Sequence, residues 1–138
     1  MRDKRSSEKR RALIVEDHQP TQILLERFLN NAGIRTDTVA NGQEALEYLQ
    51  RDCPDVVVTD FIMPRMDGLM LARAIRQRPR LISLPIVFLT AVDTVEIRDQ
   101  TASLGVVSFI TKPFLSQNLV EVVSEAINVG RSGRGVRT

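Results

Sequence analysis

Five β-prone runs alternate with five helix-patterned stretches along this chain, and that alternation constrains the fold more than any other feature. The runs are Ala12-Leu13-Ile14-Val15, Ile34 to Val39, Val56-Val57-Val58-Thr59, Ile86-Val87-Phe88-Leu89 and Val107 to Thr111. Val56 to Thr59 is continuously apolar with no alternation, as a parallel strand covered on both faces requires. Ile34 to Val39 alternates with polar residues and reads as an edge strand.

Pro20 to Ala32 is predicted helical, with Ile23, Leu24, Phe28 and Leu29 inward and Gly33 as its stop. After Asn41-Gly42, a helix over Gln43 to Arg51 places Ala45, Leu46 and Leu49 inward, and Pro54 bars its continuation. Asp67-Gly68 opens a third helix carrying Leu69, Ala72 and Ile75. A fourth spans Thr94 to Leu104 and ends at Gly105. The fifth, with Ser116 as candidate cap, carries Leu119, Val122, Val123, Ala126 and Ile127 at helical spacing and is closed by Gly130. Repeated β-α alternation predicts an α/β domain with right-handed crossovers and helices on both faces of a parallel sheet.

Four of the runs end on reactive side chains. The first leads into Glu16-Asp17, the third into Asp60, the fourth into Thr90 and the fifth into Lys112-Pro113. In an open parallel sheet the carboxyl ends of the strands meet along one edge, where ligands bind. Three acids, a hydroxyl and an ammonium gathered there suit a divalent cation and a phosphoryl group, with one carboxylate left as nucleophile.

Each residue also has a plainer reading. Acids such as Glu16 and Asp17 are favoured at a helix amino terminus by its dipole. As metal ligands they suit Mg2+, which takes one or two direct carboxylates. Asp60 could cap its loop, or attack a phosphoryl donor and form an acyl phosphate. Thr90 could satisfy backbone at a strand end, or donate to a phosphate oxygen. Lys112 is the only lysine beyond residue 11, and its compact ammonium suits the same oxygen. His18, with no second histidine in the chain, reads as a loop or helix-start residue.

At 138 residues the chain is long enough for one domain with a real core. The expected organisation is a basic flexible tail at 1–10, a domain at 11–130 and a basic flexible tail or linker start at 131–138. The net charge of +2 hides this division: residues 1–11 carry six basic and two acidic side chains, and Arg131, Arg134 and Arg137 follow the domain, which is itself acidic. The tails lack interleaved aromatics and a recognition helix, so nucleic acid is not an expected partner. No apolar run approaches the roughly 20 residues of a membrane-spanning helix, and no signal-peptide pattern is present. Cys53 is the only cysteine. It excludes an internal disulfide or thiolate cluster, favours a cytoplasmic location, and is expected buried or half-buried beside Pro54.

Together, Glu16-Asp17, Asp60, Thr90 and Lys112-Pro113-Phe114, with the loop Asp60-Phe61-Ile62-Met63-Pro64-Arg65-Met66-Asp67-Gly68, resemble the receiver domain of bacterial two-component response regulators. The resemblance covers about residues 10–130. It implies a flavodoxin-like, CheY-like doubly wound sheet of five parallel strands in the order 2-1-3-4-5. It also implies Asp60 as phosphoacceptor, with Mg2+, or Mn2+ in its place, held by Asp17, Asp60 and the Ile62 main-chain carbonyl, and by Glu16 through water. Lys112 would contact the phosphoryl group, Thr90 would move towards it, and Phe109 would occupy the switch position. Phe109 also fits a core aromatic on a strand.

The partners implied are a sensor histidine kinase or histidine phosphotransfer protein, and an unidentified protein downstream. A homodimer through the face of the fourth helix, fifth strand and fifth helix is a further expectation. Self-catalysed phosphotransfer with slow autodephosphorylation is expected, not multiple-turnover enzymology. A stand-alone receiver is expected, with an excised domain as the alternative.

Two positions depart from common choices in that family. Ile62 and Val92, apolar and flanking the approach to the acyl phosphate, are expected to give a long-lived phosphoform. Gly105-Val106-Val107-Ser108 lacks the acids often found before the last strand, which bears on partner choice. The rival readings are a pseudo-receiver binding module, an aspartyl-nucleophile phosphohydrolase and a flavodoxin relative. Phe61 and Ile62 cannot serve as the hydrolase's proton donor, and the first strand leads to acids where a flavodoxin needs a phosphate-cradling loop.

Overall fold

The computed structural model describes residues 9–63, 65–91, 94–105 and 107–136, with side chains as far as Ser132. Val92 and the two chain ends at 1–8 and 137–138 lie outside the described residues. The strands are β1 (Arg11–Val15), β2 (Arg35–Val39), β3 (Val56–Asp60), β4 (Ile86–Thr90) and β5 (Val107–Thr111). All pair in parallel, in the order β2-β1-β3-β4-β5. This is the predicted flavodoxin-like sheet, and the polar second strand is indeed at its edge.

Side chains alternate across a strand, so each buried strand feeds two cores. Leu13, Val15, Val57, Ile86 and Phe88 point to one face, where they meet Ala45, Leu49, Leu71, Ala72 and Ile75. Ala12, Ile14, Val56, Val58, Val87 and Leu89 point to the other, against Leu25, Leu29, Leu119, Val123 and Ile127. Continuous apolar runs in β1, β3 and β4 are therefore what two covered faces demand.

The helices are α1 (Gln19–Asn31), α2 (Gly42–Arg51), α3 (Gly68–Arg76), α4 (Val95–Thr101) and α5 (Ser116–Val136). Their starts follow capping chemistry. Asn41 Oδ1 accepts from Glu44 N at 2.9 Å, Asp67 Oδ1 from Met70 N at 2.9 Å and Thr94 Oγ1 from Ile97 N at 3.2 Å. Gly33, with φ +85°, ends the first helix as expected.

Four local expectations are corrected. In α1 the buried stripe is Leu25 and Leu29, while Ile23 and Leu24 are 48% and 41% exposed. The helix docks through the row running from Leu25 to Leu29, and Ile23 and Leu24 lie to one side of it. The fourth helix is shorter than expected: Thr94 caps it, and Ala102–Leu104 tighten into a 3-10 turn before Gly105.

Gly130 does not close the last helix, which continues to Val136, so the expected tail is helical over 131–136. A Cβ at Gly130 would stand 2.6 Å from Pro85 Cγ, so glycine is needed there for close approach. At the next position, Arg131 grips Asp55 through Nε at 3.2 Å and an η-nitrogen at 3.0 Å. Asp55 also accepts from the Arg11 main-chain N–H at 2.9 Å, so the start of β1 and the extended helix share one anchor. Finally, Cys53 is exposed. It follows Asp52, whose extended backbone leads the chain out of α2, and Pro54 takes the buried position.

Candidate functional site

Every strand-end residue singled out in the sequence lies along the carboxyl edge of the sheet. Asp60 and Thr90 are the last residues of neighbouring strands β3 and β4, and both are buried. Glu16 and Asp17 leave β1 on the other side of β3. Glu16 is buried and Asp17 exposed. The two thus project differently, yet carboxylate oxygens of Glu16, Asp17 and Asp60 all lie within 4.8 Å of one another.

Backbone bonds hold this edge in place. Glu16 N donates to Val39 O at 3.0 Å, Phe61 N to Leu89 O at 2.9 Å and Lys112 N to Thr90 O at 2.8 Å. The last of these ties the residue after β5 to the end of β4. The Lys112-Pro113 peptide is cis. Lys112 Nζ reaches Asp60 Oδ1 at 2.7 Å, an ion pair between a partly exposed ammonium and a buried carboxylate.

Three carboxylates around one ammonium leave an excess of negative charge in a small volume. Glu16 shows the consequence: its carboxyl is pushed up to about 7, first by burial and then by the adjacent Asp60 carboxylate, against the lowering effects of the His18 N–H and Lys112. Its Oε2 accepts from His18 N at 3.0 Å, whereas Oε1 is buried with no hydrogen-bond partner. A buried orphan acceptor beside two further carboxylates is costly. A divalent cation would satisfy it, so the donor set fits a hard, oxygen-seeking metal.

The loop after Asp60 is shaped by backbone rather than side-chain chemistry. Gly68 N donates to Phe61 O at 2.8 Å. A Cβ on Gly68 would overlap the Asp60 carbonyl oxygen and stand 2.9 Å from Phe61 Cα. Glycine is therefore required where α3 passes under the phosphoacceptor candidate. The sequence marked Asp67-Gly68 only as a helix start; the contact itself joins residues at opposite ends of the loop. Arg65 takes φ +66°, uncommon for a residue with a Cβ. With Asp17, Ala40, Asn41 and Met63 it lines a cavity of about 220 Å3 beside the acidic cluster.

Other candidates separate in their roles. His18 caps α1, accepting from Thr21 N, as its helix-start reading required. Ile62 turns a side chain that is 79% exposed to solvent, and Phe61 is buried in the core. Neither carries a proton for hydrolysis. Phe109 is partly buried against Phe88, with ring centroids 5.5 Å apart. Arg98 of α4, which sequence reasoning passed over, lies 4.7 Å above the Phe109 ring. No local pattern marks such a pair; only the docking of α4 brings it together.

The response regulator receiver domain family matches residues 12–124. The chain is 36% identical over 112 residues to response regulator Rre1 of Synechocystis sp., covering 80% of this chain and 48% of that protein. It thus spans about half the length of that curated relative. Among solved structures, Vibrio cholerae chemotaxis protein CheY4 superposes with a TM-score of 0.81 at 27% identity, over 85% of this chain and 98% of that one. The receiver domain of a Pseudomonas aeruginosa sensor histidine kinase, described with a magnesium ion coordinated in its active site cleft, gives 0.77 at 28% identity, over 86% and 98%. A doubly wound sheet, an acid cluster at its carboxyl edge and a family match over most of the sequence lead to one conclusion: the chain belongs to the response regulator receiver domain family of two-component systems.

Proposed function

We propose that this domain is a phosphorylation-operated switch in which Asp60 accepts a phosphoryl group from a phosphohistidine on a sensor kinase or phosphotransfer protein. The observation that carries the reading is the 2.7 Å pairing of Lys112 Nζ with Asp60 Oδ1 beside the Glu16-Asp17-Asp60 oxygens. A carboxylate oxygen of Asp60 attacks phosphorus, the new O–P bond forms as the N–P bond of the donor breaks, and the imidazole leaves with its electron pair. Lys112 is placed to pass from the free carboxylate to an oxygen of the incoming group, so its charge is retained where negative charge is delivered.

Asp17 and Asp60, with Glu16 and the Ile62 main-chain carbonyl, are the residues that would hold Mg2+. When bound, the ion supplies charge neutralisation between carboxylate and phosphate. Thr90, at the end of β4, offers its hydroxyl to the same phosphoryl group. Drawing it in would open space for Phe109 and bias a two-state surface. The reaction is stoichiometric, one phosphoryl group per domain, followed by slow hydrolysis; this is a receiver's cycle and not multiple turnover. The downstream partner is a protein that distinguishes the two states of that surface.

The test is labelling by a phosphohistidine donor or a small acyl phosphate with Mg2+ present. The wild-type protein should gain one phosphoryl group, labile to hydroxylamine, and Asp60→Asn should gain none. Undiminished labelling of Asp60→Asn would end the reading.

A further inference from the structure

Three aromatic rings lead away from Asp60. Phe61, the next residue, meets Phe88 edge-on at 5.2 Å and 84°. Phe88 is fully buried and lies against Phe109 at 5.5 Å and 32°. The guanidinium of Arg98 stands 4.7 Å from the centre of the Phe109 ring. The row therefore runs from the phosphoacceptor loop through the core to a cation on α4.

Phe109 has no hydroxyl, so no hydrogen bond from its own ring can choose its orientation. Packing and the ring quadrupole are what remain. On the outer side packing is incomplete: a groove of about 430 Å3, lined by Arg98, Val107, Phe109, Val122, Glu125 and Val129 among others, opens beside the ring. A guanidinium over an aromatic face is attracted by the ring's negative quadrupole.

We propose that Arg98 is a positioning residue for the switch. Its guanidinium holds Phe109 in the partly buried placement seen here, and the phosphorylated state must break that contact as the ring moves further inward. The proposal rests on the reading of Asp60 as phosphoacceptor and Phe109 as the moving ring. It gives α4 a definite part in the switch, because a contact made in only one state biases the equilibrium towards that state. A contact that opposes the inward ring therefore also weakens uptake of a phosphoryl group, by the same factor where the mimic-free protein lies mainly on the Arg98 side of the equilibrium. A half-exposed cation–π contact corresponds to about a two- to five-fold bias.

The experiment titrates the full chain with beryllofluoride, a phosphoryl mimic, in excess Mg2+. Uptake is followed by calorimetry and by the fluorine resonance of fluorophenylalanine at position 109, assigned by its loss in Phe109→Leu. Arg98→Gln should bind the mimic about two- to five-fold more tightly, and its mimic-free resonance should move towards the bound position. Arg98→Lys, which keeps a cation, should stay nearer the wild type. In the Phe109→Leu background Arg98→Gln should have no effect.

Unchanged or weaker binding by Arg98→Gln overturns the proposal, as does an equal gain without the Phe109 ring. Arg98→Met serves as a second variant should the glutamine be poorly folded. If the wild-type protein takes up no mimic, the receiver reading itself fails. If it does and only the Arg98 effect is missing, the clamp alone is wrong.

Discussion

Gly68 is the position where one methyl group should do the most damage to both fold and site. A Cβ built there overlaps the Asp60 carbonyl oxygen and approaches Phe61 Cα at 2.9 Å and Phe61 O at 3.1 Å. All three obstacles are backbone atoms of the segment that carries the phosphoacceptor, so none can rotate away. Overpacking of this kind costs about 1–3 kcal/mol, and the rigidity of the neighbours places Gly68→Ala towards the upper end. The propensity gain of alanine, about 1 kcal/mol in a helix interior, is smaller at the first helical residue.

A net loss of about 2 kcal/mol lowers the thermal midpoint of a domain this size by roughly 6–10 °C. Gly42→Ala is the matched control, because its built Cβ meets only side-chain atoms of Met66, Sδ at 2.6 Å, Cγ at 3.0 Å and Cβ at 3.2 Å, and the two nearest can rotate aside. It should cost less than about 1 kcal/mol. Thermal unfolding followed by circular dichroism compares the two, and beryllofluoride affinity reports whether Asp60 has moved. Gly68→Ala should lose both stability and affinity. A melting point for Gly68→Ala at or above that of Gly42→Ala would refute the backbone-collision argument.

Two further outcomes follow from the site. Glu16 holds its proton to about 7 in the folded, metal-free protein, against 4.5 for an ordinary glutamic acid. Its contribution to stability is thus fully present below pH 4.5 and is lost as pH rises through about 7. In urea titrations with chelator present, wild-type stability should fall relative to Glu16→Gln between about pH 5 and pH 8, and Mg2+ should reverse the loss; parallel curves for the two proteins would contradict the electrostatic account. At the mouth of the cleft, Ile62→Asn adds an amide that can orient water, so the phosphoform should decay several-fold faster when timed by release of inorganic phosphate. An unchanged lifetime would remove Ile62 from the control of hydrolysis.

Much of the site was legible because its residues sit at ends of strands. A run such as Val56 to Thr59 announces burial on both faces, and an acid directly after it must emerge at the sheet's carboxyl edge. Asp60, Thr90, Lys112 and the Glu16-Asp17 pair all follow such runs, so their common edge needs no knowledge of distances. The polar second strand likewise belongs at the edge, where one side of its hydrogen-bonding ladder needs no partner.

The order of elements, the doubly covered sheet and the chemistry gathered at one edge are each written in local periodicity and in which residue ends a run, so they could be read from the chain. Long-range packing makes Glu16 the buried acid and Asp17 the exposed one, docks α1 through Leu25 with Ile23 and Leu24 outside, and has Gly130 accommodate Pro85 in place of ending a helix. It alone sets Arg98 over Phe109. These outcomes depend on which surfaces meet, and that depends on atoms far apart along the chain, where periodicity carries no information.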